Sequence, residues 1–301
     1  MNLLIINMAR NIKYFLINIF YYPLYKILYR KKYKILSDSE TITRITKHRF
    51  SIARYGDGEF KWMLGLKQNS FQEDNKTLQK RLNEIINSNN KNIIIGIPST
   101  INTLSKVNIQ AKGYWSKFLV KNHKKLNHIL NLNNTYCNSN ITRPYIDYKN
   151  KNKKIMKKKF DLLKSIWSHR NVLIVEGEFS RLGVSNDLFS SAKSIRRIIC
   201  PAKNAFSKYD IIFHRIVDTV KKDDLVLISL GPTATVLAYD LSKKNIQSID
   251  LGHIDVEYSW YLLNAKYKIP IKNKFVNEAQ SKNMELTYNK EYEKQIIDKV
   301  L

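Results

Sequence analysis

Three acidic pairs in this chain share one spacing: Asp57/Glu59, Glu176/Glu178 and Asp255/Glu257. In an extended segment, residues two apart point to the same side. Each pair could therefore aim both carboxylates at one spot, and His253 would extend the third set. Paired carboxylates hold a hard divalent cation through oxygen, or they move a proton. Arg54, Arg143, Arg181, Lys203 and Asn204 lie near these pairs in predicted loops and add groups that bind phosphate. Any one pair reads equally well as a polar surface turn, since Asp-Gly is an ordinary turn dipeptide. Three pairs with these cations make the reading a site that handles phosphate and metal.

The elements that must position these residues follow from hydrophobic pattern. Phe50, Ile52 and Ala53 start a short strand that breaks at Gly56 and Gly58. Phe60, Trp62, Met63, Leu64 and Leu66 then form an apolar helical face. That places Glu59 in a first helical turn, where the helix dipole favours a carboxylate. A short helix is expected from Asp38, an amphipathic helix over 74–88, a strand over 92–97 and a helix over 113–132. Tyr136–Tyr148 reads as a strand running into a loop. There Arg143, held extended by Pro144, is a phosphate contact or a surface arginine. From Asn171 the chain alternates: strands over 171–175, 195–200, 225–230 and 246–251, with a helix over 207–221. Such alternation predicts an α/β fold with a doubly wound, mostly parallel sheet. Ligands in such sheets sit at the carboxyl ends of the strands. The loop over 176–187 carries Glu178, Arg181 and Asn186 to that edge. Gly231-Pro232-Thr233-Ala234-Thr235 opens a helix whose free amides suit phosphate, although a plain capped helix start is the alternative. Neither a Walker motif nor G-x-G-x-x-G is present, so ATP or NAD has no motif support.

The chain has 301 residues, 44% of them hydrophobic, enough for one large or two small domains with a core. A formal net charge of +27 attracts polyanions: nucleic acid, anionic lipid or phosphorylated substrates. Cys137 and Cys200 lack metal-site spacing, and reduced thiols are the simpler expectation. Residues 3–35 are set apart. Their charge-free run from Tyr14 to Tyr25 is twelve residues, too short to span a bilayer, and no cleavage site for a secretory signal follows. Cations flank abundant aromatics, the pattern of an amphipathic helical extension lying on an anionic membrane. Packing on the protein's own core or on a partner is the alternative.

Six stretches in order resemble the GT-D-type glycosyltransferases: RYGDGE at 54–59, TRPYID at 142–147, LIVEGEFSRLGVSNDLF at 173–189, CPAKNAF at 200–206, LGPTATVLAYDL at 230–241 and IDLGHIDVEY at 249–258. The resemblance covers about residues 40–265. It implies a Rossmann-like fold over 37–301 and leaves 1–36 as a separate N-terminal segment. It also implies a metal-dependent bacterial transferase that uses a UDP-sugar, with glucose the family expectation. The family's Asp-x-Glu motif falls on Asp57-Gly58-Glu59, the expected ligands of Mn²⁺ or Mg²⁺. Ser185 stands where the pattern often has Gly, and Tyr55 where it has Phe. The donor-binding candidates are Arg54, Gly56, Arg143, Glu178, Arg181, Asn186, Lys203, Asn204, Thr233 and Thr235. Asp255 and Glu257 are the candidate bases, with His253 beside them.

A transferase in surface-polysaccharide or glycoprotein synthesis would work at the inner face of the cell membrane on a glycan or lipid-linked glycan. Two other readings compete. The charge fits a nucleic-acid-binding protein, but no recognised motif appears and the lysines are dispersed, so no nucleic-acid partner is expected. An inactive sugar-nucleotide-binding scaffold would carry the same binding residues.

Overall fold

A computed structural model describes residues 3–66, 68, 72–276, 279 and 286–301. Nine strands form one sheet in the order β1-β4-β3-β2-β8-β7-β5-β6-β9, every neighbouring pair parallel. The strands are β1 (Lys34–Ile35), β2 (Ser51–Arg54), β3 (Ile93–Ile97), β4 (Thr135–Asn138), β5 (Asn171–Gly177), β6 (Ser194–Cys200), β7 (Leu225–Ser229), β8 (Ser248–Asp250) and β9 (Ile296–Lys299). The first four strands build one half of the sheet and the last five build the other. The halves meet where β2 pairs with β8, and at that reversal the strand ends open a crevice.

The central strands are buried on both sides and therefore read as continuous apolar runs, such as IIIGI in β3 and LVLIS in β7. Their side chains alternate between two cores. Val172 and Ile174 pack with Trp167 and Trp260 on one side. Leu173 and Val175 pack with Leu237 and Ala238 on the other.

Helices α1 (Leu3–Leu28), α2 (Asp38–Lys47), α3 (Asp57–Met63), α4 (Lys76–Ile85), α5 (Ile109–Lys121), α6 (His123–Ile129), α7 (Lys153–Lys164), α8 (Tyr209–Thr219), α9 (Pro232–Lys243), α10 (Ile254–Leu262) and α11 (Lys290–Gln295) complete the described chain. The doubly wound α/β expectation holds. The single helix expected over 113–132 is two, because Asn122 leaves helical geometry at φ −110° and ψ 11°. Edge strands β1 and β9 lacked a sequence signal, β1 because two residues show no period.

Helix α1 lies along α5. A Cβ at Gly113 of α5 would come within 2.8 Å of Tyr14 Cδ1, so only glycine admits this approach. Asn18 Nδ2 donates to the carbonyl of Ile109 at 3.0 Å, and the Tyr29 hydroxyl donates to that of Leu119 at 3.2 Å. Packing on the protein's own core therefore describes one face of α1; the opposite face stays exposed. Among the described residues no helix is long and apolar enough to cross a membrane.

Candidate active site

A cavity of about 880 Å³ opens at the carboxyl ends of the central strands. That is the size of a site for a nucleotide-sized ligand. Arg54, Gly56, Asp57 and Glu59 enter it from the β2–α3 turn, and Arg143 and Asp147 from the loop after β4. Asp250, His253 and Asp255 enter from the end of β8 and the start of α10, and Gly231 and Pro232 from the β7–α9 turn. Arg10, Lys13 and Tyr14 of α1 close one side.

The Asp57 carboxylate takes hydrogen bonds from Lys61 Nζ at 2.8 Å, one turn along α3, and from the Tyr114 hydroxyl of α5. Burial works to raise its pKa. The Lys61 charge and the Tyr114 hydrogen bond outweigh burial and hold Asp57 below its usual value. Glu59 turns back to accept the Gly56 N–H at 2.7 Å, capping α3. Burial, reinforced by the Asp250 charge, pushes Glu59 up to about 7.

The expectation that each acidic pair aims at one spot is corrected by secondary structure. Asp57/Glu59 and Asp255/Glu257 lie in first helical turns, where residues two apart diverge by roughly 200°. Glu176, inside β5, is buried on Arg197 and the Tyr292 hydroxyl, whereas Glu178 lies past the strand and is exposed.

Asp255 accepts from the Gly183 N–H at 2.9 Å, Asn186 Nδ2 at 2.8 Å and Lys274 Nζ. Glu257 is fully buried outside the cavity wall and accepts the N–H groups of Tyr145 and Ile146, both at 2.9 Å. It thereby anchors the loop that carries Arg143, whose Nε lies 3.7 Å away. Glu178, Arg181, Asn186, Lys203, Asn204, Thr233 and Thr235 do not line the cavity. Arg181 is buried and donates to the Thr287 carbonyl at 2.8 Å, Lys203 is exposed, and Asn204 Oδ1 accepts the Glu73 N–H. Thr233 is buried, and Thr235 binds the Arg54 carbonyl at 3.0 Å and Asp250 at 3.1 Å.

Asp250 and Tyr114 are among the cavity residues that escaped sequence reasoning. Asp250 is a buried carboxylate ending β8 that binds Arg54, Thr235 and the Gly252 N–H. A charge closing the run Ser248-Ile249-Asp250 was its available signal. Tyr114 gave none, because an aromatic on an amphipathic helix reads as core.

A family model described as the glycosyltransferase GT-D fold matches residues 52–279. The chain belongs to this family. Glycosyltransferase GlyD of Streptococcus pneumoniae serotype 4 (strain ATCC BAA-334 / TIGR4) is 34% identical over 273 residues, 87% of this chain and 32% of that protein. Probable glycosyl transferase Gly of Streptococcus gordonii is 34% identical over 269 residues, 89% of this chain and 39% of that protein. The chain thus spans about a third to two fifths of the length of these relatives. A solved domain described as having a distinct glycosyltransferase fold superposes with TM-score 0.84 at 36% identity, covering 92% of this chain and 99% of its own. A glycosyltransferase from Streptococcus sanguinis superposes with TM-score 0.84 at 32% identity, covering 90% of this chain and all of its own.

Within the GT-D fold, the fit of a divalent cation turns on the oxygen donors. Among the described residues no group of three or more His, Cys, Asp or Glu comes together as a metal cage. The cavity wall instead offers Asp57 and Glu59 from one turn. One or two carboxylates suit a hard cation whose shell is completed by substrate phosphates and water. The donor set therefore fits a hard divalent cation that takes its remaining ligands from elsewhere.

Proposed function

We propose that this chain transfers a sugar, glucose by family expectation, from a UDP-sugar to a glycan acceptor in surface-polysaccharide or glycoprotein synthesis. The observation that carries the reading is the meeting of Asp57, Arg54 and Arg143 in one cavity at the β2/β8 reversal of a GT-D fold. Asp57 and Glu59 would hold Mn²⁺ or Mg²⁺, which when bound would supply Lewis-acid stabilisation of the leaving UDP. Arg143 meets the diphosphate charge from the facing loop, fixed by Glu257 and Asp147. Asp255 takes the acceptor hydroxyl's proton, since it is the carboxylate of the α10 pair that lines the cavity. Gly231 and Pro232 bring the start of α9 to the cavity, where the positive end of the helix dipole favours the donor's phosphate.

The test is UDP release from a panel of UDP-sugars, with and without Mn²⁺, by the wild type and Asp57→Ala. Donor-selective, metal-dependent release that falls by at least about a hundredfold in the variant supports the reading. UDP binding without transfer to any acceptor would make the protein a scaffold. No binding of any UDP-sugar would overturn the reading.

A further inference from the structure

Helix α1 is folded with reversed polarity. Asn7, Asn11, Tyr14, Asn18 and Tyr25 turn toward the protein, where Asn11 accepts from Gln110 Nε2 at 2.8 Å and Tyr25 donates to the Ile101 carbonyl at 3.1 Å. Ile12, Leu16, Ile19, Phe20 and Ile27 turn away, each more than half exposed. A helix packed on its own domain ordinarily does the opposite. A contiguous aliphatic face of this kind marks an interaction surface.

Charge selects the occupant. The first 37 residues contain no Asp or Glu but seven Lys or Arg: Arg10, Lys13, Lys26, Arg30, Lys31, Lys32 and Lys34. An apolar stripe flanked by cations complements the acyl–headgroup boundary of an anionic bilayer. Two copies of α1 facing each other would instead oppose like charges.

The same helix is a wall of the active-site cavity. At about 100° per residue, Arg10 and Lys13 fall on the flank between the aliphatic stripe and the inward face, and both line the cavity. Among the described residues neither meets a carboxylate. An anion held at headgroup depth would reach them.

We propose that α1 seats this chain on an anionic bilayer, and that Arg10 and Lys13 receive the phosphate of a glycan acceptor anchored in it. The docking stands whether or not the cavity transfers sugar; the acceptor assignment rests on the transferase reading above. Sedimentation of the full chain with phosphatidylcholine vesicles, plain or doped with phosphatidylglycerol or with a polyprenyl phosphate, tests both parts. The wild type is expected to bind only the anionic vesicles. Ile12→Glu/Ile19→Glu is expected to lose that binding at least tenfold, with UDP release in vesicle-free solution unchanged. Arg10→Ala/Lys13→Ala and Lys26→Ala/Arg30→Ala remove equal charge. They should weaken binding to phosphatidylglycerol alike, and the former should lose about tenfold more on polyprenyl phosphate. Equal losses there would overturn the phosphate assignment. Unaltered sedimentation of the glutamate variant, or a solution dimer that it dissolves without any vesicle binding by the wild type, would overturn the docking. Vesicle binding with no UDP release from any donor would sink the acceptor assignment and leave the docking in place.

Discussion

Arg54 and Asp250 end the two strands that meet at the reversal of the sheet, and they bind each other across it. Arg54 Nη1 lies 3.5 Å from Asp250 Oδ1, and the Arg54 backbone N–H donates to Oδ2 at 3.3 Å. The guanidinium Nε also donates to the Ser139 carbonyl at 2.9 Å, tying in the loop after β4. Truncating one partner leaves a buried charge alone, which costs about 3 kcal/mol or more. Asp250→Ala is expected to lower the urea midpoint accordingly and to depress UDP release as Arg54 shifts. An unchanged midpoint would show that the pair does not join the two halves.

Gly252 protects this pair. Its φ of +51° is in the region that favours glycine, and an added Cβ would come within 2.1 Å of Arg54 Nη1. Gly252→Ala is expected to displace the guanidinium and impair donor binding more than Ser229→Ala nearby, read as a rise in KM for the UDP-sugar.

The hydrogen bond from Tyr114 to Asp57 is testable with one atom removed. Tyr114→Phe keeps the ring packed on Phe118 and deletes the hydroxyl. A hydrogen bond to a charged group is worth about 1.5–3 kcal/mol. We expect kcat/KM to fall about tenfold or more, with the thermal midpoint lowered by a few degrees and a shift in the metal concentration giving half activity.

Gly113 sets the distance between α1 and α5. Gly113→Leu forces the new side chain into Tyr14, whose Cδ1 and carbonyl oxygen lie 2.8 and 2.9 Å from the glycine's notional Cβ. Overpacking of this kind costs about 1–3 kcal/mol. The helix should lift, and trypsin should cut faster after Arg10, Lys13 and Lys26 while the sheet remains resistant.

Lys151 gives the chain an alkaline dependence. Its Nζ donates to the carbonyls of Tyr145 and Ile146, both at 2.9 Å, and burial pushes its pKa down from 10.5 to about 8, against the pull of Glu257 and Asp147. Between those values the unfolded chain binds more protons than the native one, so this group's contribution to stability rises with pH across the window. Below pH 8 its full penalty is present. Urea midpoints on either side of the window should show the rise in the wild type and a smaller one in Lys151→Met.

Fold class was legible because buried parallel strands have a local signature. LVLIS, NVLIV and IIIGI are apolar without interruption, and helical patterns lie between them. The break at Asn122 was not legible, because the apolar period runs on through it from Phe118 to Leu126 and Leu130. The candidate site was half legible. Asp57, Glu59, Arg54, Arg143, His253 and Asp255 do reach one cavity, since each closes or follows a strand end. Arg181, Asn204 and Thr235 follow strand ends as well, yet their side chains bind other partners, while Lys203 is exposed and Thr233 is buried away from the cavity.

What the sequence determined by itself is the set of local facts: strands and helices by apolar period, loops by glycine and proline, and thus the edge of the sheet at which charged groups collect. Tertiary structure alone decided which of those groups share a space. Asp250 joins Arg54 across 196 residues, and Tyr114 joins Asp57 across 57, because parallel pairing and helix packing bring them together; no spacing along the chain encodes either contact. It also decided the orientation of α1. Aromatic, aliphatic and cationic residues are interleaved there, and which face turns inward was set by a glycine on another helix and by carbonyls that Asn18, Tyr25 and Tyr29 bind.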